Sequence, residues 1–127
     1  LARQSVAAVY PPLAASASHA RELATAVCLE WGVEALRDDL ALVVTELVAN
    51  AIRHAKTDIS LSLRLIGGGV RLEVRDGSVR PLRPRAAQES DEGGRGLLLV
   101  DALSHRYGVE AGPDGKRVWV ELLLDSA

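Results

Sequence analysis

Apolar residues at Leu40, Val43, Val44, Leu47, Val48, Ala51 and Ala55 repeat at the i, i+3, i+4, i+7 spacing of a helix that lays one face on a core. The pattern predicts a helix that starts between Val33 and Asp39 and runs to about Lys56. Asp38 and Asp39 fall early in it, where the helix dipole favours negative charge. Upstream, Ser16 to Trp31 combines good helix formers with Leu23, Ala24, Val27 and Trp31 on one face, and Gly32 is placed to end that helix as a left-handed cap. Nearer the start, Val6, Ala8 and Tyr10 alternate ahead of Pro11-Pro12, the mark of a short strand closed by proline.

After Asp58 the period changes to two. Ile59, Leu61, Leu63 and Leu65 alternate with Ser60, Ser62 and Arg64, as in a half-buried strand. Gly67-Gly68-Gly69 allows a tight reversal into Val70, Leu72 and Val74, so the two runs read as a hairpin. Residues 79–95 are rich in Pro, Gly and charge without a period, and loops of that length in compact domains are lids, binding loops or disordered segments. As a lid, residues 80–95 would be mobile alone and ordered by a ligand. A helix from about Gly96 to Leu103 and a strand from Arg106 to Glu110 are expected next. Gly112-Pro113-Asp114-Gly115 is a turn, and Val118, Val120, Leu122 and Leu124 share one face of a last strand, Lys116 to Leu124. Helices early and two hairpins later imply a sheet covered on one side by helices.

Along the central helix Glu46, Asn50 and His54 recur every four positions, drifting only about 40° per step, so they form one polar rail beside the buried stripe. A rail of this kind fits a solvated flank. It also fits a ligand site, because a carboxylate and an amide at the edge of a core are costly without partners.

The chain has 127 residues, 48% hydrophobic and 25% charged, which predicts one soluble globular domain spanning residues 1–127. Without Phe or Met, the core must be built from Leu, Val, Ile and Ala. The missing initiator Met implies a chain that is trimmed, processed or part of something longer. A formal net charge of −2 argues against direct nucleic-acid binding held by electrostatics. Arg75, Arg80, Arg83, Arg85 and Arg95 are clustered all the same, and they suit either a polyphosphate or a solvated loop. Cys28 stands alone, so no intrachain disulfide or cysteine-based zinc site is available, and it is expected to pack in a helix. No signal peptide and no apolar run near eighteen residues is present, which predicts a cytoplasmic protein with no membrane contact. Gly112 to Lys116 is too short for a P-loop, no Gly-x-Ser-x-Gly elbow occurs, and His19 reads as a surface residue.

Three stretches change the odds for the rail. Thr45 to Ala55 (TELVANAIRHA), Asp76-Gly77-Ser78 and Gly93-Gly94-Arg95-Gly96 resemble, in order and spacing, the three ATP-binding boxes of the GHKL superfamily of gyrase, MutL and histidine kinases. The anti-sigma-factor serine kinase branch, with its small stand-alone actinobacterial regulators, is closer still. Gly115-Lys116-Arg117-Val118-Trp119 matches the GK-x-VW ending typical of those regulators, and the resemblance runs from about Ala20 to Leu124. It implies an α+β fold, the two-layer α/β sandwich called the Bergerat ATP-binding fold, with a mixed sheet and helices on one face. It also implies ATP and Mg²⁺ as cofactors. The expected partner is an anti-anti-sigma protein to be phosphorylated on serine, a sigma factor to be sequestered, or a second copy in a homodimer. Two other readings remain open: a non-catalytic binding module of the same fold, or an ATPase domain excised from a larger signalling protein.

The resemblance assigns roles residue by residue. Asn50 becomes the Mg²⁺ ligand, a neutral amide oxygen suited to a cation already bound to phosphates. Glu46, one turn earlier, becomes the candidate base for a water or serine hydroxyl beside the γ-phosphate. His54 touches phosphate or holds a neighbouring loop. Asp76 accepts from the adenine amino group, and a lone carboxylate, being a pure acceptor, selects adenine over guanine. The family pattern there is Asp-x-Gly-x-Gly, whereas this chain has Gly77 at the intervening position and Ser78 and Arg80 in place of the two glycines. Gly94, Arg95, Gly96 and Leu97 offer backbone N–H groups to phosphates at a helix N-terminus. Arg117 stands where relatives often carry a Thr on the adenine side.

Overall fold

The computed structural model describes residues 4–78 and 92–124. The elements in chain order are β1 (Ser5–Tyr10), α1 (Ala15–Glu30), a short 3₁₀ turn (Glu34–Leu36), α2 (Arg37–His54), β2 (Ile59–Ile66), β3 (Gly69–Asp76), α3 (Glu92–Leu103), β4 (Arg106–Gly112) and β5 (Gly115–Leu123). The strands make one sheet in the order β1-β2-β3-β5-β4, and its core-facing side carries the helices. This is a two-layer α+β sandwich, the architecture that the resemblance implies.

Every pairing in the sheet is antiparallel, where a mixed sheet was expected. The connections explain it. Between β1 and β2 the chain runs through two antiparallel helices, so it returns in the direction opposite to β1. The single helix α3 does leave β3 and β4 running the same way, but β5 lies between them and pairs antiparallel with both. The result is a split β-α-β unit.

Local chemistry sets the ends of the elements. The Ser16 hydroxyl donates to the Pro11 carbonyl at 2.7 Å, tying the start of α1 to the end of β1. Gly32 has φ +71°, and the N–H groups of Gly32 and Val33 reach back to the carbonyls of Leu29 and Cys28 at 3.3 and 2.9 Å. That is a Schellman cap, which a side chain at the left-handed position would strain. Asp38 and Asp39 occupy the first turn of α2, and Arg53 and His54 its last, both complementing the dipole.

The core lies between the helices and the sheet. Ala20, Ala24, Val27 and Cys28 from α1 and Leu40, Val43, Val44, Leu47, Val48 and Ala51 from α2 meet Ile59, Leu61, Leu63, Val70, Leu72, Val118, Val120 and Leu122 from the strands. Leu23 and Trp31, expected on the buried face of α1, are only partly buried, because small residues let α1 and α2 approach along the Ala20-Ala24 line. Val100 is the fully buried anchor of α3.

Among the described residues, the opposite face of the sheet holds an ion-pair network rather than a second layer of helices. Glu121, 7% exposed, accepts from Arg106 Nε at 2.7 Å and Arg71 Nη1 at 2.8 Å. Both guanidiniums lie over the Trp119 ring, 4.4 Å (Arg71) and 5.8 Å (Arg106) from its centre. The hydrogen bond from Arg106, with that from Arg71 and the charge of both, holds the Glu121 carboxyl below its ordinary value against the opposing effect of burial. A carboxyl held lower in the folded state than in the unfolded one stabilises fully above its unfolded pKa and loses that contribution as pH falls through the folded one. Glu121→Gln is therefore expected to lower stability at neutral pH by about 1 kcal/mol. Its melting temperature should also fall less steeply than the parent's below about pH 4.5. Thermal melts of the two proteins across acid and neutral pH check this, and parallel curves would count against the network.

Candidate functional site

The helix α2 delivers the polar rail to one end of the sheet. Glu46 is half-buried, and its carboxylate has no hydrogen-bond or ion-pair partner among the described residues. Asn50 is buried, 8% exposed, because Leu47 and Ala51 on either side of it belong to the core. Its amide oxygen accepts a hydrogen bond from Arg53 Nη2, one turn further on. His54, the last residue of α2, is exposed. The rail therefore dips from a half-buried Glu46 to a buried Asn50 and surfaces at His54.

The end of β3 is brought to the same place. Thr57, just past α2, accepts a hydrogen bond from the Gly77 N–H at 2.8 Å. A Cβ at position 77 would lie 2.7 Å from Thr57 Cγ2, so this junction needs glycine where the family pattern leaves the residue free. Ser78 replaces the first family glycine without strain, since no non-glycine residue among those described has positive φ. Its own N–H donates to Asp76 Oδ1 at 2.7 Å.

Asp76 is the most enclosed charge of the site, its side chain only 2% exposed. One oxygen is held by Ser78; the other faces Lys116 Nζ at 3.9 Å, an ion pair longer than a hydrogen bond. Asp76 and Lys116 are direct register partners across β3 and β5. Gly115, with φ +135°, makes this approach possible: a Cβ there would sit 2.2 Å from the Asp76 carbonyl oxygen.

Two arginine placements differ from the sequence expectation. Arg117 is on the far side of the sheet from Asp76, bonded to Glu73 at 3.3 Å and Glu110 at 2.6 Å, and Lys116 holds the position beside Asp76. The strand's period of two decides this, because Val118, Val120 and Leu122 face the helices and counting back from them reaches 116. Arg75 is exposed and one step out of phase with Asp76, so it also points away from the site. Arg80, Arg83 and Arg85 lie outside the described residues.

The glycine segment is helical earlier than expected. α3 begins at Glu92, so Gly93, Gly94, Arg95, Gly96 and Leu97 form its first turns instead of a loop leading to Gly96. Each glycine costs a helix interior about 1 kcal/mol, because it has the most backbone freedom to lose. Of the proposed lid, residues 79–91 lie outside the described residues, and 92–95 belong to this helix. α3 packs beside α2.

No group of three or more His, Cys, Asp or Glu able to hold a metal occurs among the described residues. A divalent ion here would have to depend on Asn50 and on oxygens brought by a ligand. No helix among them is long and apolar enough to cross a membrane.

Comparison with known proteins matches this arrangement. Residues 10–122 fit the family model of the histidine kinase-like ATPase domain. The chain is 37% identical over 83 residues to the uncharacterized protein SCO4941 of Streptomyces coelicolor, covering 61% of this chain and 79% of that one. Among solved structures, it is similar to the histidine kinase domain of the Erythrobacter litoralis EL346 blue-light activated histidine kinase, with a TM-score of 0.55 and 26% identity over 68% of this chain. It spans only 43% of that structure. The Acinetobacter baumannii histidine kinase AdeS superposes with a TM-score of 0.60 over 95% of this chain and 68% of its own, at 11% identity, a likeness of fold alone.

Proposed function

Because the chain belongs to the histidine kinase-like ATPase domain family, we propose that it binds magnesium-ATP between α2, α3 and the end of β3 as a cytoplasmic regulator. In this reading it resembles an anti-sigma-factor serine kinase: it phosphorylates an anti-anti-sigma partner or sequesters a sigma factor, as a monomer or homodimer.

The observation that carries the proposal is Asp76. A carboxylate 2% exposed at a strand end, with one oxygen fixed and the other unbonded, suits a ligand that brings its own N–H donor. The adenine amino group is such a donor. The rest of the donor set fits a nucleotide as well. Asn50 offers one amide oxygen to a metal, on condition that Arg53 swings off it. Backbone N–H groups of the first turn of α3 favour anions. Bound magnesium-ATP supplies the phosphoryl group and neutralises its charge. The role left to the protein is to orient the acceptor serine and to take its hydroxyl proton, which falls to Glu46.

The test is calorimetry with magnesium-ATP on the parent and on Asp76→Asn. The amide keeps an oxygen for the Ser78 N–H but turns its NH₂ toward the adenine amino group, so affinity should fall about 10-fold or more. Equal affinities would remove Asp76 as the base reader.

A further inference from the structure

The base end of the proposed site sets a cation beside its carboxylate. Adenine presents an amino donor at N6, whereas guanine presents an acceptor at O6. A lone carboxylate can only accept, so it pairs with the first and repels the second. Asp76 is not alone. Lys116 Nζ lies 3.9 Å from Oδ2, and the lysine side chain is itself mostly covered, 19% exposed.

Three features hold the lysine there. The register sets Lys116 directly across from Asp76. The alternation of β5 turns its side chain to the helix-covered face, while Arg117 is engaged with Glu73 and Glu110 on the other. Gly115 packs against the Asp76 backbone, so the two strands cannot separate at this point without losing that contact. Neither charged tip is committed to the other: the pair is beyond hydrogen-bond distance, and the Lys116 ammonium has no acceptor within 3.5 Å among the described residues. An acceptor with a free lone pair and a donor with free N–H bonds therefore stand side by side.

From this juxtaposition we infer that Lys116 relaxes base selection, so that the site takes purine nucleoside triphosphates generally, GTP as well as ATP. The inference rests on the nucleotide reading above and adds the base class. For adenine, N6–H donates to Asp76 Oδ2, and no bond from Lys116 is needed. For guanine, N1–H donates to Asp76 Oδ2 and O6 accepts from Lys116, which removes the acceptor–acceptor clash that a carboxylate alone imposes.

The experiment is calorimetric titration of the parent and of Lys116→Met with magnesium-ATP and magnesium-GTP. Methionine keeps most of the stem's volume and removes the donor. The parent is expected to bind the two nucleotides within about 10-fold of each other. In Lys116→Met, GTP affinity should fall about 10-fold or more while ATP affinity changes by less than about 3-fold. If the parent binds ATP but not GTP, the inference is overturned and the nucleotide site stands. If the variant weakens both nucleotides equally, Lys116 serves the phosphates and the inference is likewise overturned. Binding of neither nucleotide by the parent overturns both readings. The parent's own ratio of affinities is decisive even where the variant folds poorly.

Discussion

Asn50→Ala is expected to abolish the magnesium-dependent part of ATP binding while the protein stays folded. The amide is buried on α2, and its oxygen, now bonded to Arg53, is the protein ligand that the site offers to a metal. With no acidic cluster among the described residues to replace it, the ion would be left with phosphate and water oxygens only. Stability should change little, because alanine is the best helix former and offsets the loss of a single hydrogen bond worth about 1 kcal/mol. The measurement is ATP affinity with and without Mg²⁺, in parent and variant, with thermal melts as the control for folding. In the parent, Mg²⁺ should strengthen binding; in Asn50→Ala the two values should coincide. A magnesium effect that survives the substitution would remove Asn50 as the ligand.

What the sequence made legible follows from which interactions are local. A strand with one face on a core writes its own period, so β2 from Ile59 and the hairpin through Gly67 to Gly69 could be read directly, as could the capped end of α1 at Gly32. The rail of Glu46, Asn50 and His54 was equally plain, since a helix fixes which residues share a side. The same logic, applied to phase rather than to motif, also contained Lys116. Val118, Val120 and Leu122 fix the buried face of β5, and the residue two before Val118 must share it. A match by motif alone pointed instead to Arg117, on the wrong side of the sheet.

Other features depend on contacts far apart in sequence. The network around Trp119 and Glu121 joins β3, β4 and β5 across as many as 50 positions, and nothing local marks Glu121 as a buried carboxylate. The early start of α3 is of the same kind. Gly93, Gly94 and Gly96 read as loop residues by propensity, yet the chain is helical from Glu92, where burial of Val100 and packing on α2 outweigh the glycine cost. The mixed sheet was a matter of topology: antiparallel pairing at every step follows from two helices between β1 and β2, a count the sequence supplied, and from the insertion of β5 between β3 and β4, which it did not.

Glu46→Gln is expected to separate a kinase from a binding module. The side chain is half-buried one turn before Asn50 and has no partner among the described residues, so its carboxylate is uncommitted, as a base must be. If it takes the proton of a serine hydroxyl as the new bond from oxygen to phosphorus forms and ADP departs, the amide keeps shape and helix but cannot take the proton. Phosphoryl transfer should then fall about 10²–10⁴-fold while ATP still binds. The protein is incubated with γ-labelled ATP and candidate anti-anti-sigma partners, and label transfer is compared between parent and variant, with ATP affinity measured in parallel. Transfer that persists in Glu46→Gln removes Glu46 as the base. A parent that binds ATP yet labels none of its cognate partners favours the binding module, in which the nucleotide would act by setting the conformation that a partner recognises rather than by giving up its phosphate.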